Sequence, residues 1–74
     1  MEMKSVSSSM IAAVGYDAGA QVMDVQFNSK SAPGPTWRYS QVTPAEYESV
    51  VGSPSIGKAF TSTIKGSHPA NRID

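Results

Sequence analysis

Cysteine is absent from the chain, so neither a disulfide framework nor a thiolate metal cage can hold it together. One histidine, His68, stands alone among scattered carboxylates that follow no ligand spacing, and no metal site or cofactor is expected. Long apolar runs are missing too. Met1 to Ser9 lacks a stretch of signal-peptide length, and no segment approaches the roughly 20 residues of a membrane span. A cytoplasmic protein with no membrane contact is the expectation. Net charge is also lacking, since six Lys and Arg offset six Asp and Glu. Non-specific nucleic-acid binders usually carry a positive surplus, because phosphate contacts supply most of that affinity. The distribution tells a different story from the total. Glu46 and Glu48 sit at the start of one predicted helix, whereas Lys58, Lys65, His68 and Arg72 are spread over the last third, leaving a local basic face open.

At 74 residues there is room for one domain and one core. Such a chain buries only about 60 to 65% of its unfolded surface, so its stability margin is small and association into a homo-oligomer would add to it. Most of the 39% hydrophobic content must therefore be core.

Period and punctuation divide the sequence. Residues 10–16 are small and apolar, and Asp17-Ala18-Gly19 offers a turn in which glycine is able to take a positive φ. From Val22 to Asn28 the chain alternates, with Met23, Val25 and Phe27 on one face and Asp24 and Gln26 on the other, the pattern of a half-buried strand. Asn28 to Pro35 reads as a loop, because its prolines remove ladder donors. A further strand starts at Thr36 and puts Trp37 and Tyr39 on one side and Arg38 on the other.

The second half is helical. Thr43 caps, Pro44 suits the first helical position and Glu46 follows Thr43 by three, a capping box. Tyr47, Val50 and Val51 form the apolar stripe and Gly52 ends it. Ser53-Pro54 repeats the start signal, Ile56, Phe60 and Ile64 recur every four residues, and the helix stops near Gly66. The spacing predicts strands at 10–16, 21–28 and 36–42 and helices at 44–52 and 54–65. That is an α+β fold, a three-stranded antiparallel β-meander followed by two short helices packed on one face. Residues 1–9 read as an N-terminal segment, 6–66 as the single domain and 67–74 as a C-terminal tail. Phe27, Trp37, Tyr39, Tyr47, Val51, Phe60 and Ile64 are the expected core.

Catalytic patterns are thin. Gly52 to Lys58 fits G-x-x-x-x-G-K, but Ala59 stands where a phosphate-binding loop needs a hydroxyl for magnesium, and no parallel strand precedes it. His68 next to Pro69 in a tail is expected to be solvated, because a general base must be fixed in place. Asp17 before Ala-Gly is ordinary turn chemistry, and Ser7 to Ser9 more often satisfy local backbone than phosphate. The chain is not expected to be an enzyme.

Several features occur together in a recognisable order: Ser7-Ser8-Ser9 before an apolar segment, Gly15-Tyr16-Asp17 at its end, Trp37-Arg38-Tyr39, Val42-Thr43-Pro44 entering a helix with Tyr47, then Ser55-Ile56-Gly57-Lys58-Ala59-Phe60 and Ile64-Lys65. In this the chain resembles the KTSC domain, named for the C-terminus of some lysyl-tRNA synthetases, over about Val6 to Arg72. Trp37 stands where the family usually has tyrosine, and the Asn28 to Pro35 loop is longer than usual.

The resemblance implies a small bacterial binding module for RNA or another anionic ligand. Trp37 or Tyr39 would be a stacking platform, and Arg38, Lys58 and Lys65, the last two seven apart on one helix side, would hold the backbone. Read from the residues alone, both rings belong in the core of so small a domain and both lysines to an ordinary solvated face. The alternative function is a protein-protein interaction module, for instance a phage or mobile-element protein that occupies a host protein surface. The Ser31 to Pro35 loop would then be the first segment to contribute.

Overall fold

The computed structural model describes residues 2–29 and 34–73. The chain runs β1 (Lys4–Ser5), β2 (Ile11–Asp17), β3 (Val22–Phe27), β4 (Thr36–Tyr39), α1 (Pro44–Val51), α2 (Ile56–Thr63) and β5 (Ala70–Arg72). All strands join one antiparallel sheet in the order β1-β2-β3-β4-β5. Among the described residues no helix is long and apolar enough to cross a membrane.

The class is α+β, but the sheet has five strands rather than the three that the sequence predicts. The two additional strands are edges, two and three residues long and exposed throughout. With no buried face they carry no alternation, so nothing in their composition marks them. Ladder pairing alone defines them: Lys4 lies opposite Val14, and Arg72 lies opposite Trp37. The predicted tail at 67–74 therefore returns to the sheet at Ala70–Arg72.

Register explains the core. Val14 pairs with Val25 and Val25 with Trp37, while Tyr16 pairs with Met23 and Met23 with Tyr39, so these side chains share one face. A bulge between Ile11 and Ala13 sets Ile11 opposite Phe27, which brings Ile11 and Val14 to the same side although they are three residues apart. Against that face lie Val50 of α1, Phe60 of α2 and Ile64 just beyond it, all fully buried. Tyr39 and Phe27 each present an edge to the Phe60 ring, at centroid distances of 5.1 Å and 5.7 Å.

Of the expected core, Tyr39, Phe60 and Ile64 are buried, whereas Phe27, Trp37, Tyr47 and Val51 are half-buried at its margin. Ile11, Val14, Met23, Val25, Val42 and Val50 complete the interior. A sheet of this width cannot cover every ring it carries.

The capping box forms as the spacing predicts: Glu46 N–H donates to Thr43 Oγ1 at 3.2 Å, and Thr43 N–H donates to Glu46 Oε1 at 2.9 Å. The start of α2 comes later than Ser53-Pro54 suggests. Ser53 Oγ instead donates to the Ser55 carbonyl and accepts from Ser55 N–H, which closes a turn and delays the helix to Ile56. Likewise β4 ends at Tyr39 rather than 42, because Gln41 takes φ 60°. In the first hairpin the left-handed position is Gln21, at φ 54°, not Gly19. Asp17 Oδ1 accepts from the amides of Gly19 and Ala20 and fixes that turn.

Candidate functional site

The aromatic strand and the end of α2 build one cleft. β4 places Trp37 and Tyr39 on the helix-facing side, and β3 contributes Phe27 beside them. After Thr63 the chain keeps turning: Ile64 and Lys65 amides both donate to the Phe60 carbonyl, and Gly66 reverses the backbone at φ 83°. Lys65 thus comes to the rim of a cleft of about 530 Å³, lined by Phe27, Trp37, Tyr39, Lys65, His68 and Ala70 along with Gly66. Tyr39 is only 5% exposed, so its ring belongs to the floor, while Trp37 is the larger ring left partly open. Burial pushes the Tyr39 hydroxyl above its ordinary pKa and keeps it neutral.

His68 is not solvated. Its side chain is 9% exposed, Nδ1 lies 3.0 Å from the Ser40 carbonyl oxygen, and Nε2 lies 3.1 Å from Glu46 Oε2. Both partners offer acceptor oxygens, so both ring nitrogens face the protein rather than solvent. The contact ties the cleft wall to the capping box of α1. Glu46 is held below the usual carboxylate range, first by the Thr43 backbone N–H, against the opposing effect of burial, and then by His68 and the Thr43 hydroxyl. Close by, Tyr16 stacks on Tyr47 with centroids 4.5 Å apart and donates to the Val42 carbonyl at 2.6 Å. Burial, then the negative charges of Glu46 and Asp17, raise the Tyr16 pKa.

Arg38 and Lys58 stand elsewhere. Arg38 is on the opposite face of the sheet, where its guanidinium donates twice to Asp24, Nε to Oδ1 at 2.8 Å and Nη2 to Oδ2 at 3.0 Å. That fork covers Asp24, which is 5% exposed although its face carries no helix, and the bond to Asp24 raises the Arg38 pKa. Lys58 is exposed in the first turn of α2, beside a second cleft walled by the serine segment. Of the five residues singled out in the sequence, the fold brings together Trp37, Tyr39 and Lys65, and it sets Arg38 and Lys58 apart from them. Among the described residues no three His, Cys, Asp or Glu side chains come together as a metal site.

Residues 7–68 match the KTSC domain. The chain belongs to that family. It is similar to a crystal structure of a KTSC domain protein from Yersinia pestis, with a TM-score of 0.87 and 27% identity, covering 99% of this chain and 97% of that one. It is also 29% identical over 68 residues to an uncharacterized protein of Stutzerimonas stutzeri (strain A1501), spanning 92% of this chain and 90% of its relative. The family match begins at the serine cluster and ends at His68, so within this KTSC chain both clefts lie almost wholly inside the matched region.

Two parts of the candidate site escaped sequence reasoning. Phe27 reads as plain core, and His68 reads as tail because Pro69 follows it. The signal available for His68 was weak, since only the pairing of β5 shows that the chain turns back there. Of the Ser31 to Pro35 loop, residues 31–33 lie outside the described residues, while the Pro35 carbonyl accepts from Phe27 N–H at 3.0 Å.

Proposed function

We propose that this KTSC domain is a non-catalytic binding module that takes an unpaired base of RNA, or an equivalent anionic aromatic ligand, in the Phe27–Trp37–Lys65 cleft. The observation that carries this reading is the joint presence of a partly open indole and a lysine at one mouth. A nucleotide has a base face that stacks on indole and a phosphate that a lysine attracts, and the cleft is lined by both. A duplex hides its base faces, so the ligand is single-stranded. The non-catalytic reading is supported by His68, whose two ring nitrogens are both directed at protein acceptors, the Ser40 carbonyl oxygen and Glu46 Oε2, rather than into the cleft.

Trp37 is the sole tryptophan, so its fluorescence reports the cleft directly. Titration with single-stranded RNA at low salt is expected to quench it saturably, and Trp37→Ala to weaken binding measured by anisotropy by about 1 to 3 kcal/mol. Absence of any saturable signal at high micromolar protein overturns the RNA reading. A protein partner is the second reading, supported by Ile73, 43% exposed next to the short edge strand β5.

A further inference from the structure

The aromatic cleft has a counterpart at the other end of α2. A second cleft, of about 560 Å³, runs between the serine segment, with Ser8 and Met10, and the helix start, with Ser55, Lys58 and Thr61. Gly57 keeps it open, because a Cβ there would already lie 3.4 Å from both Ser8 Oγ and Met10 Cε, and any longer side chain would fill the space. The hydroxyls are not equivalent. Ser8 Oγ accepts the Met10 and Ile11 amides, which leaves its own proton to donate, and Ser55 Oγ makes no capping bond.

The exposed side of α2 runs between the two clefts. Lys58, Thr61 and Ser62 stand at i, i+3 and i+4, on the side away from the buried Phe60, and all three are exposed. Lys65 is exposed two residues past the end of α2, so Lys58 and Lys65 flank that stripe. Neither makes an ion pair among the described residues. The sequence contains no Asp or Glu from Gly52 to Ile73, a stretch that holds Lys58, Lys65 and Arg72. A neutral molecule thus places two of its six cationic side chains, Lys58 and Lys65, in and just beyond α2, with an aromatic cleft at one end and a hydroxyl-lined cleft at the other.

We propose that the exposed stripe of α2 is a track for a single RNA strand: one base seats on Trp37, the backbone passes Lys65 and Lys58, and a phosphate further along enters the serine cleft. This rests on the base-binding reading of the aromatic cleft and extends it to a ligand of several nucleotides with two phosphate contacts. The strand is recognised by its backbone spacing, not by its sequence.

The test is a series of unlabelled RNAs, a mononucleotide, a trinucleotide and a hexanucleotide, titrated against Trp37 fluorescence and repeated over a range of salt. Affinity is expected to rise with length, and the hexanucleotide to show a log–log salt slope steeper than the mononucleotide by about 0.7 per additional phosphate contact. Lys58→Ala, an exposed change that leaves the core intact, is expected to remove about 0.7 from the hexanucleotide slope while leaving mononucleotide quenching unchanged. Trp37→Ala is expected to weaken both ligands roughly 5- to 150-fold, read by calorimetry. If the mononucleotide quenches and the hexanucleotide binds no tighter, or Lys58→Glu leaves hexanucleotide binding unchanged, the track is wrong and the base cleft stands. Failure of every RNA to quench removes the base cleft and the track with it.

Discussion

Phe60 is the residue on which the interior turns. It is fully buried and meets Tyr39 and Phe27 edge-on, so it joins α2 to both central strands. Phe60→Ala is expected to cost roughly 3 to 5 kcal/mol, comparable to the whole stability of a small domain, and a thermal melt that keeps its midpoint would show that α2 does not pack as described. Glu46 carries a second prediction at this scale. Its carboxyl is depressed in the folded chain, so ionised Glu46 stabilises the fold at pH values above its unfolded pKa, near 4.3, and that contribution is lost as pH falls through the lower folded value. Melting temperature should therefore drop on acidification below about pH 5, and Glu46→Gln, which keeps the capping amide geometry, should flatten that part of the profile. The partly buried Tyr16 and the buried Tyr39 give the opposite limb. Their raised values stabilise the fold below about pH 10, and the advantage fades as pH climbs beyond it.

Among the elements, β5 shares with β1 the lack of any buried residue. Its three residues are exposed, and its attachment comes from the ladder to β4, the bonds of Ser40 N–H to Pro69 and Ile73 N–H to Thr36, and the His68 bridge. His68→Ala breaks the bridge from the Ser40 carbonyl to Glu46 while leaving the ladder in place. Backbone amides of β5 are expected to exchange faster in this variant, with those of β2 and β3 little changed. Equal loss of protection in all strands would instead make His68 part of the global core. The α1 start and the α2 start contrast in the same way: a reciprocal capping box fixes the first, whereas the second begins after a serine turn with no side-chain cap and relies on Phe60 for its position.

For the whole molecule, the arrangement separates two kinds of surface. One face of the sheet is covered by the helices, and the other is closed over Asp24 by the Arg38 fork rather than by a further layer. Lys58 on α2 and Lys65 just past its end leave a local positive surface although the chain is neutral. Electrostatic steering depends on such local fields more than on the sum, and screening over roughly 10 Å at 0.1 M salt confines its effect to ligands that lie along the helix. The fold supplies a floor of buried aromatics and leaves Trp37 and Lys65 at its margin, partly or fully exposed, while Tyr39 is buried.

Local order came from the sequence itself. Alternation at Met23, Val25 and Phe27, the four-residue recurrence of Ile56, Phe60 and Ile64, and the Thr43–Glu46 box each encode an element through neighbours close in the chain, so period and capping chemistry suffice to read them. The order of motifs was likewise enough to point to the KTSC family. Only the tertiary structure decided what depends on distant partners. Whether Ala70–Arg72 is tail or strand is set by an exposed ladder to β4 that leaves no apolar trace, and whether His68 is solvated is set by Ser40 and Glu46, 28 and 22 residues away. The candidate site divides by the same rule. Sequence supplied Trp37, Tyr39 and Lys65 as residue types, but a sheet register and a helix end more than twenty residues apart in the chain bring them to one cleft, and the same register carries Arg38 to the other face.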